Sequence, residues 1–438
     1  MRRVSGEPGS DKPVVRVGVL GGGTVGSALV TLIAEQAAAI HARTGVRLAV
    51  TRVAVRDLSK PRAGIDPALL TDDPQAVVNG DDVDLVVELI GGVEPARQLI
   101  LDALKAGKAV VTGNKALLAD HGAELFQAAE AAGVDLLFEA AVAGGIPIIR
   151  PLRESLVGER ITRVMGIVNG TTNYILTRMT EAGASYADAL AEAQALGYAE
   201  ADPTADVEGY DAGAKAAIIA SIAFGAAVTA ADVHHEGISG ITTEDIEYAR
   251  RMGFVIKLLA VAEQAADGAI GVRVHPAMVP TTHPLAAVRE SFNAVFVEGA
   301  SVGDLMFYGR GAGGAPTASA VLGDVIDAAL NRHKGSHASV GQLGAATIAT
   351  IDDVVSAYYL NIEVLDRTGV LAQVAGAFGE HRVSIRSMEQ EGLGDEARLI
   401  FITHRAREAD MRATLRDLEA LDAVDRIGSV LRVVSDEA

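Results

Sequence analysis

Apolar positions along the chain follow two rhythms. Between Val14 and Phe138, short apolar runs alternate with longer amphipathic stretches. The runs Val14–Leu20, Leu48–Val55, Val83–Ile90, Lys108–Thr112 and Val134–Phe138 predict strands. The Ala/Leu/Ile-rich stretch reaching about Ile40, Pro95–Ala106 and Asp120–Ala132 predict helices between them. Strands alternating with helices predict a parallel sheet with right-handed crossovers. From about Ile146 the rhythm changes. Strand-like pieces at 161–168, 272–280 and 294–299 enclose helical segments at 185–196, 209–225 and 243–260, an α+β pattern. Residues 316–331 predict a helix expected to pack back on the first domain, and 332–347, rich in Gly, Ser and His, predict a linker. From about Val355 the order strand–helix–strand–strand–helix–strand predicts a split βαβ unit.

These rhythms divide the chain into a flexible tail (1–13), a first domain (14–145, completed by helix 316–331), a second domain (146–315), a linker (332–354) and a last domain (355–438). The length of 438 residues fits such a count, at ~100–200 residues per domain. With 49% hydrophobic and 22% charged residues there is ample material for buried cores. A net charge of −19 argues against a nucleic-acid partner, because phosphate binding needs clustered Lys and Arg. The absence of cysteine removes disulfides, thiol catalysis and Cys-ligated metals, and fits a reducing, cytoplasmic setting. The uncharged run Ala216–Ala231 is short for a membrane span of ~20 residues and reads as a buried helix. The N-terminus has two arginines but no apolar stretch after them, so neither a secretory signal nor a membrane association is expected.

The first sharp motif is Gly21-Gly22-Gly23-Thr24-Val25-Gly26, a G-x-G-x-x-G turn between a strand and a helix. Gly21 suits the tight turn, Gly23 a close approach to a pyrophosphate, and Gly26 close helix–strand packing. The amides of Thr24, Val25 and Gly26 open the helix and offer an anion site. A purely structural glycine turn is the alternative; the β/α context favours a dinucleotide. At the end of the second strand stands Arg56-Asp57, with Lys60 nearby. Arg56 is placed to pair with a 2′-phosphate, which favours NADP(H) and leaves NAD(H) open. A solvated charge pair is the bland reading.

Ligands of open α/β sheets sit at the carboxyl ends of strands. Gly91-Gly92 there would leave room for ribose and nicotinamide, and Lys115 would project an ammonium into the crevice, unless it is an exposed turn lysine. Further on, Gly197–Lys215 carries Glu200, Asp202, Asp206 and Glu208 ahead of an apolar helix. Asp211 and Lys215 are four residues apart and share a helix face. Buried charges need a partner or a task. Carboxylates can hold an α-ammonium, and a lysine can protonate or polarise a carbonyl oxygen. The alternative is Asp206 as an N-cap and Asp211–Lys215 as a surface pair worth about 0.3 kcal/mol.

With these residues in view, the chain resembles the homoserine dehydrogenase family in its long bacterial form. The resemblance runs through the glycine turn, TGNKALL (Thr112–Leu118), EAAVAGGIPII (Glu139–Ile149), NGTTNYIL (Asn169–Leu176), GYAEADPTADVEGYDAGAK (Gly197–Lys215) and GRGAGGAPTASAVLGD (Gly309–Asp324). It implies NAD(P)H-dependent reduction of L-aspartate 4-semialdehyde to L-homoserine, within threonine, methionine and isoleucine biosynthesis. It implies Lys215 as proton donor, Lys115 as a second active-site lysine touching substrate and nicotinamide, and Glu200, Asp206 and Asp211 as substrate ligands, with Gly170 and Thr171 lining the pocket. Gly311, in Gly309–Gly313, would close over the cofactor; Arg310 stands where many relatives carry Pro. A monovalent cation, sodium, is implied on oxygens of Glu139, Val142, Gly144 and Ile146, a segment that by itself reads as a glycine loop joining domains.

In the C-terminal domain, Asp366, Gly369, Val370 and Leu371 lie on a strand-to-helix turn suited to an amino acid's charged groups. The turn and the split βαβ order resemble an ACT domain. That implies L-threonine as effector and a homodimer or homotetramer; a purely structural oligomerisation module is the alternative. The fold class expected is therefore α/β: a Rossmann-type nucleotide-binding domain, an α+β catalytic domain and a C-terminal ferredoxin-like (ACT) domain. Two other functions compete: a non-catalytic sensor of nucleotide and amino acid, which the presence of Lys115 and Lys215 disfavours, and a dehydrogenase for a related semialdehyde or amino acid, which the Glu200–Lys215 stretch and NGTTNY disfavour. His234-His235 and His333 with His337 lack the spacing and the glutamate of a metal motif and read as ordinary surface histidines.

Overall fold

Six strands form a parallel sheet: β1 (Val14–Leu20), β2 (Arg47–Ala54), β3 (Leu70–Thr71), β4 (Leu85–Glu88), β5 (Ala109–Thr112) and β6 (Leu136–Leu137), in the order β3-β2-β1-β4-β5-β6. This computed structural model describes residues 14–392, 394 and 396–434, so the tail expected over 1–13 lies outside the described residues. The strand order reverses between β1 and β4, the switch point at which such sheets open a crevice. All four residues of β4 and of β5 are buried, as continuous apolar runs in a doubly covered parallel sheet require. The helix expected at 316–331 is found within Gly314–Lys334. It puts Ala318, Val321, Val325 and Ala328 into one core with Val17, Val19, Val87 and Val111. Gly335, at φ 66°, ends it. The described residues up to Ser155, together with Arg310–Gly344, form one compact unit; Leu156–Gly309 and the residues from Ala345 onward form a second.

In the second unit, the strand Ile161–Ile167 lies between antiparallel neighbours Phe254–Gln264 and Phe292–Gly299, and Phe254–Gln264 pairs with Ile270–Pro280. The helix predicted over 243–260 is half wrong. It ends at Arg251, and Phe254–Gln264 is a central strand. Gly253, at φ 80°, breaks the chain between them, and a fully buried strand's apolar run is indistinguishable by period from a helix. The helix Tyr210–Phe224 packs on these strands and buries nine of its 15 residues, all between Ala212 and Ser221.

The four long strands from Val355 onward, Val355–Leu365, Ile385–Gly392, Glu396–Thr403 and Val424–Val433, lie antiparallel in the order fourth-first-third-second. With helices Val370–Glu380 and Glu408–Glu419 they make the expected ferredoxin-like unit around Tyr358, Leu360, Val374, Phe378, Phe401 and Leu418. Val424–Val433 also pairs in parallel with Ile270–Pro280, through Ala277–Arg432 and Met278–Val433, so the sheet runs unbroken from one part to the other. Arg432 rivets this joint: 5% exposed, it donates to both oxygens of Glu236 (2.8 Å each) and to Glu408 (2.8 Å). Burial opposes ionisation of Glu236, but hydrogen bonds from His234 and Arg432 hold its carboxyl well below the usual range. Among the described residues no single helix is long and apolar enough to cross a membrane.

Candidate active site

In the first unit, Gly21 sits at φ 109° and its amide donates to Ala54 O (3.0 Å), closing the turn against β2. A Cβ there would lie 2.7 Å from Leu89 O, and one on Gly26 would lie 2.0 Å from Gly21 O; both positions exclude any side chain. Gly23 has nothing within 4 Å of its missing Cβ, and no side chain caps the helix Thr24–Glu35, so its first amides have no side-chain acceptor. Arg56 is exposed just past β2. Asp57, the acid that could have held a ribose, turns its carboxylate onto Ser59 N (3.0 Å) and Oγ (2.6 Å) and lies 3.7 Å from Lys60. Arg62 donates to Gly22 O (3.1 Å) and clamps the glycine turn, a residue the sequence reading did not single out.

At the ends of β4 and β5 lies a network also missed. Glu88, fully buried, accepts from the amides of Ile90 (2.7 Å) and Gly91 (3.1 Å) with one oxygen and from Thr112 Oγ1 (2.6 Å) with the other. Asn114 Nδ2 donates to Gly92 O (2.6 Å), while its Oδ1 caps the helix Lys115–Ala132 at Leu117 N (3.2 Å). These bonds fix both the left-handed Gly91-Gly92 corner (φ 78° and 75°) and the helix start that carries Lys115.

Glu139 sits in a glycine-rich turn whose geometry differs from a carboxylate pointing at a cation. Its carboxylate accepts from the amides of Ile148 (2.5 Å), Ile149 (2.7 Å) and Arg150 (2.9 Å). Its own amide donates to Asp324 (2.8 Å), whose carboxyl burial pushes up to about 7. Ala143 and Gly144 are both left-handed (φ 55° and 57°), and a Cβ on Gly144 would lie 2.2 Å from Gly311 O. Gly311 thus packs on this turn, and the neighbouring Gly314 approaches Thr24 so closely that a Cβ would meet its Cγ2 at 2.9 Å. Among the described residues no group of three or more His, Asp or Glu is arranged to hold a metal ion.

In the second unit, the site is built at the end of the strand Ile161–Ile167. Asn169 caps the helix Gly170–Ala182 through Thr172 N (2.9 Å), and its Nδ2 donates to both Asp206 (2.7 Å) and Asp211 (2.9 Å). Lys215 is 8% exposed; its ammonium donates to Val168 O (2.7 Å) and Asp211 Oδ2 (2.6 Å). The Asp211–Lys215 pair is therefore not a surface pair, and Gly209 at φ 85°, not Asp206, caps the helix Tyr210–Phe224. Thr171 Oγ1 donates to Tyr198 O (2.7 Å), and Gly170 is pressed so close to Ser291 O that a Cβ would lie 2.8 Å away. Asp206, Asp211, Lys215, Gly170 and Thr171 thus cluster around Asn169, which opens the NGTTNYIL motif and to which the sequence reading gave no role of its own. The Glu200 side chain is exposed and makes no bond to this cluster. The turn Asp366–Gly369 is exposed, with Gly369 at φ 91° capping the next helix.

The family model described as homoserine dehydrogenase matches residues 147–326, the one for the NAD-binding domain of homoserine dehydrogenase matches 21–139, and the ACT model matches 358–423. A homoserine dehydrogenase of Corynebacterium glutamicum is 54% identical over 434 residues, covering 98% of this chain and 97% of that protein. One of Bacillus subtilis is 42% identical, with 96% of this chain and 98% of that protein covered. The crystal structure of a homoserine dehydrogenase from Thiobacillus denitrificans superposes with a TM-score of 0.92 at 43% identity, over 97% of this chain and 99% of that one. A hyperthermophilic archaeal homoserine dehydrogenase in complex with NADPH reaches 0.62 at 30% identity, over 73% and 98%. The chain belongs to the homoserine dehydrogenase family, oxidoreductases that act on a CH–OH group with a nicotinamide nucleotide.

Proposed function

We propose that Lys215 is the proton donor in the reduction of L-aspartate 4-semialdehyde to L-homoserine. One observation carries this reading: a buried ammonium, fixed by Val168 O and Asp211, at the end of a strand where Asn169 also gathers Asp206. An ammonium has three donors; two are spent on these partners, and the third is assigned to the aldehyde oxygen. When bound, the nicotinamide supplies the hydride that reduces the aldehyde carbon. Lys215 gives the oxygen its proton, which completes the alcohol, and Asp211 keeps the amine aimed. Asp206 and Glu200 hold the substrate's ammonium, with Gly170 and Thr171 lining its pocket, and Lys115 steadies substrate and nicotinamide together.

On the nucleotide side, Gly21, Gly23, Thr24, Val25, Gly26, Gly91 and Gly311 form the cradle and Arg56 pairs with a 2′-phosphate, so NADP(H) is the favoured cofactor. The Asp57 carboxylate supports this, since it is engaged by Ser59 and lies 3.7 Å from Lys60 rather than being held out for a ribose hydroxyl. A sodium ion would sit on the main-chain carbonyls of Glu139, Val142, Gly144 and Ile146. The carboxylate of Glu139 is already engaged by three amides, so the ion would be structural. L-threonine is the proposed effector at Asp366, Gly369, Val370 and Leu371, and the active form is a homodimer or homotetramer. The reaction is tested by following NADPH and NADH absorbance with the purified protein. Consumption that depends on L-aspartate 4-semialdehyde, faster with NADPH, is expected. No aldehyde-dependent consumption with either cofactor would overturn the reading.

A further inference from the structure

Beside Arg273 and Val274, a short strap joins the strand Ile270–Pro280. His234 and His235 pair with those two residues in parallel, and Glu236 N donates to Val274 O (2.8 Å). Arg432 anchors the strap through both oxygens of Glu236 (2.8 Å each). His234 and His235, expected at the surface, are half-buried. His234 lies 2.9 Å from Glu236, whereas His235 meets the helix that carries Asp211 and Lys215.

The strap lies against the backbone of the site at two places. Ile238 N donates to Val207 O (2.8 Å), one residue after Asp206, and a Cβ on Gly237 would lie 2.6 Å from that same oxygen. On the helix Tyr210–Phe224, the ring of His235 fills the space a side chain at 213 would need: a Cβ on Gly213 would lie 2.1 Å from its Nε2. The ring also leans on Tyr210, with centroids 5.0 Å apart and planes at 39°. Burial, with His234 alongside, keeps the His235 imidazole below its ordinary pKa, so it packs as a neutral ring at neutral pH.

Gly213 is buried inside the helix, two residues from Asp211 and two from Lys215. At about 3.6 residues per turn, that pair shares one face and Gly213 holds the opposite one. A glycine inside a helix is less stable than an alanine, and here the missing methyl makes room for the imidazole. Close-packed interiors pass a displacement on rather than absorb it. Lys215 is held at 2.7 Å from Val168 O and 2.6 Å from Asp211, and misplacing a catalytic group by ~1 Å costs on the order of 100-fold in rate. We propose that His235 is a positioning residue for the reaction: its ring, carried on the strap, is the stop against which the helix Tyr210–Phe224 is seated, and it thereby sets where Asp211 and Lys215 meet the substrate. This role deepens the reading of Lys215 as proton donor and rests on it.

The test is a double-mutant cycle in the full-length protein, Gly213→Ala, His235→Ala and both together, with kcat for L-aspartate 4-semialdehyde read beside NADPH affinity. Gly213→Ala keeps the ring and adds the methyl, so kcat should fall roughly tenfold or more at unchanged NADPH affinity, although alanine is the better helix former. His235→Ala withdraws the stop and should lower kcat by about fivefold. The double variant has room for its methyl and should turn over as His235→Ala does. Wild-type kcat in Gly213→Ala overturns the proposal, and so does a double variant slower than either single one. Where Gly213→Ala folds poorly, His235→Ala adds no bulk and decides alone: wild-type kcat there overturns the proposal, and a lowered kcat with intact NADPH affinity supports it. Lys215→Ala separates the two claims. Near-normal turnover in that variant overturns the proton-donor reading whatever the cycle shows; an inactive Lys215→Ala beside a cycle without compensation overturns the role of His235 alone.

Discussion

At the scale of single residues, the site turns on one amide. Asn169 serves two carboxylates at once, so Asn169→Ala leaves Asp206 and Asp211 each short of a donor. Losing such bonds is worth about 1–3 kcal/mol apiece, and kcat/KM should fall by roughly 10- to 100-fold while NADPH affinity holds; steady-state kinetics and a fluorescence titration separate the two. The sequence made the Asp211–Lys215 pair legible because four residues bring two side chains to one helix face. It could not reveal Asn169, whose partners lie 37 and 42 residues away. Lys257 was hidden in the same way. It is 2% exposed, donates to Asn173 (3.0 Å) and Val288 O (2.5 Å), and burial lowers its pKa to about 8. A depressed lysine pKa means that the unfolded chain holds the proton more tightly. The penalty for burying the charge is then fully present below pH 8 and is relieved as pH rises from there towards 10.5. Urea unfolding should therefore favour wild type over Lys257→Met increasingly across that window, by on the order of 2–3 kcal/mol. A flat difference would show that Lys257 is charged and paid for in some other way.

At the scale of elements, strand ends carry the chemistry and buried polar networks set them. Glu88, Thr112 and Asn114 tie β4 to β5 and so place Gly91 and Lys115 together. Strands and glycine turn were readable from period and spacing, whereas this network was not, because the bonds that tie β4 to β5, Thr112 to Glu88 and Asn114 to Gly92, join residues 24 and 22 apart. The misread segment 254–264 has a different cause: an apolar run buried on both faces has no polar alternation to betray a strand. The parallel joint between Ile270–Pro280 and Val424–Val433 was also invisible, since only two residue pairs make it. Its strength lies in Arg432. Arg432→Met would take the shared cation from buried Glu408 and half-buried Glu236, which keep Tyr358, Arg412 and His234, a loss of about 1–3 kcal/mol. Thermal unfolding of this variant should show an earlier transition, and limited proteolysis should release a fragment beginning near Val355.

At the scale of the whole molecule, the nucleotide choice rests on one exposed cation just past β2. If Arg56 pairs with a 2′-phosphate, Arg56→Ala should raise KM for NADPH by about tenfold or more and leave KM for NADH unchanged, since a hydrogen bond to a charged group is worth about 1.5–3 kcal/mol. Equal effects on both cofactors would return Arg56 to a solvated surface charge. The three-part architecture was legible because each part has its own rhythm of apolar positions, and the motif order carried the family. The central claim, that an ammonium held by Asp211 and Val168 O protonates the reduced aldehyde, is tested most directly by kcat of Lys215→Ala beside its NADPH affinity. A fall of roughly 10²–10⁴-fold, as expected for a lost general acid, with cofactor binding intact is the predicted result; a variant that turns over within a few-fold of wild type would contradict it.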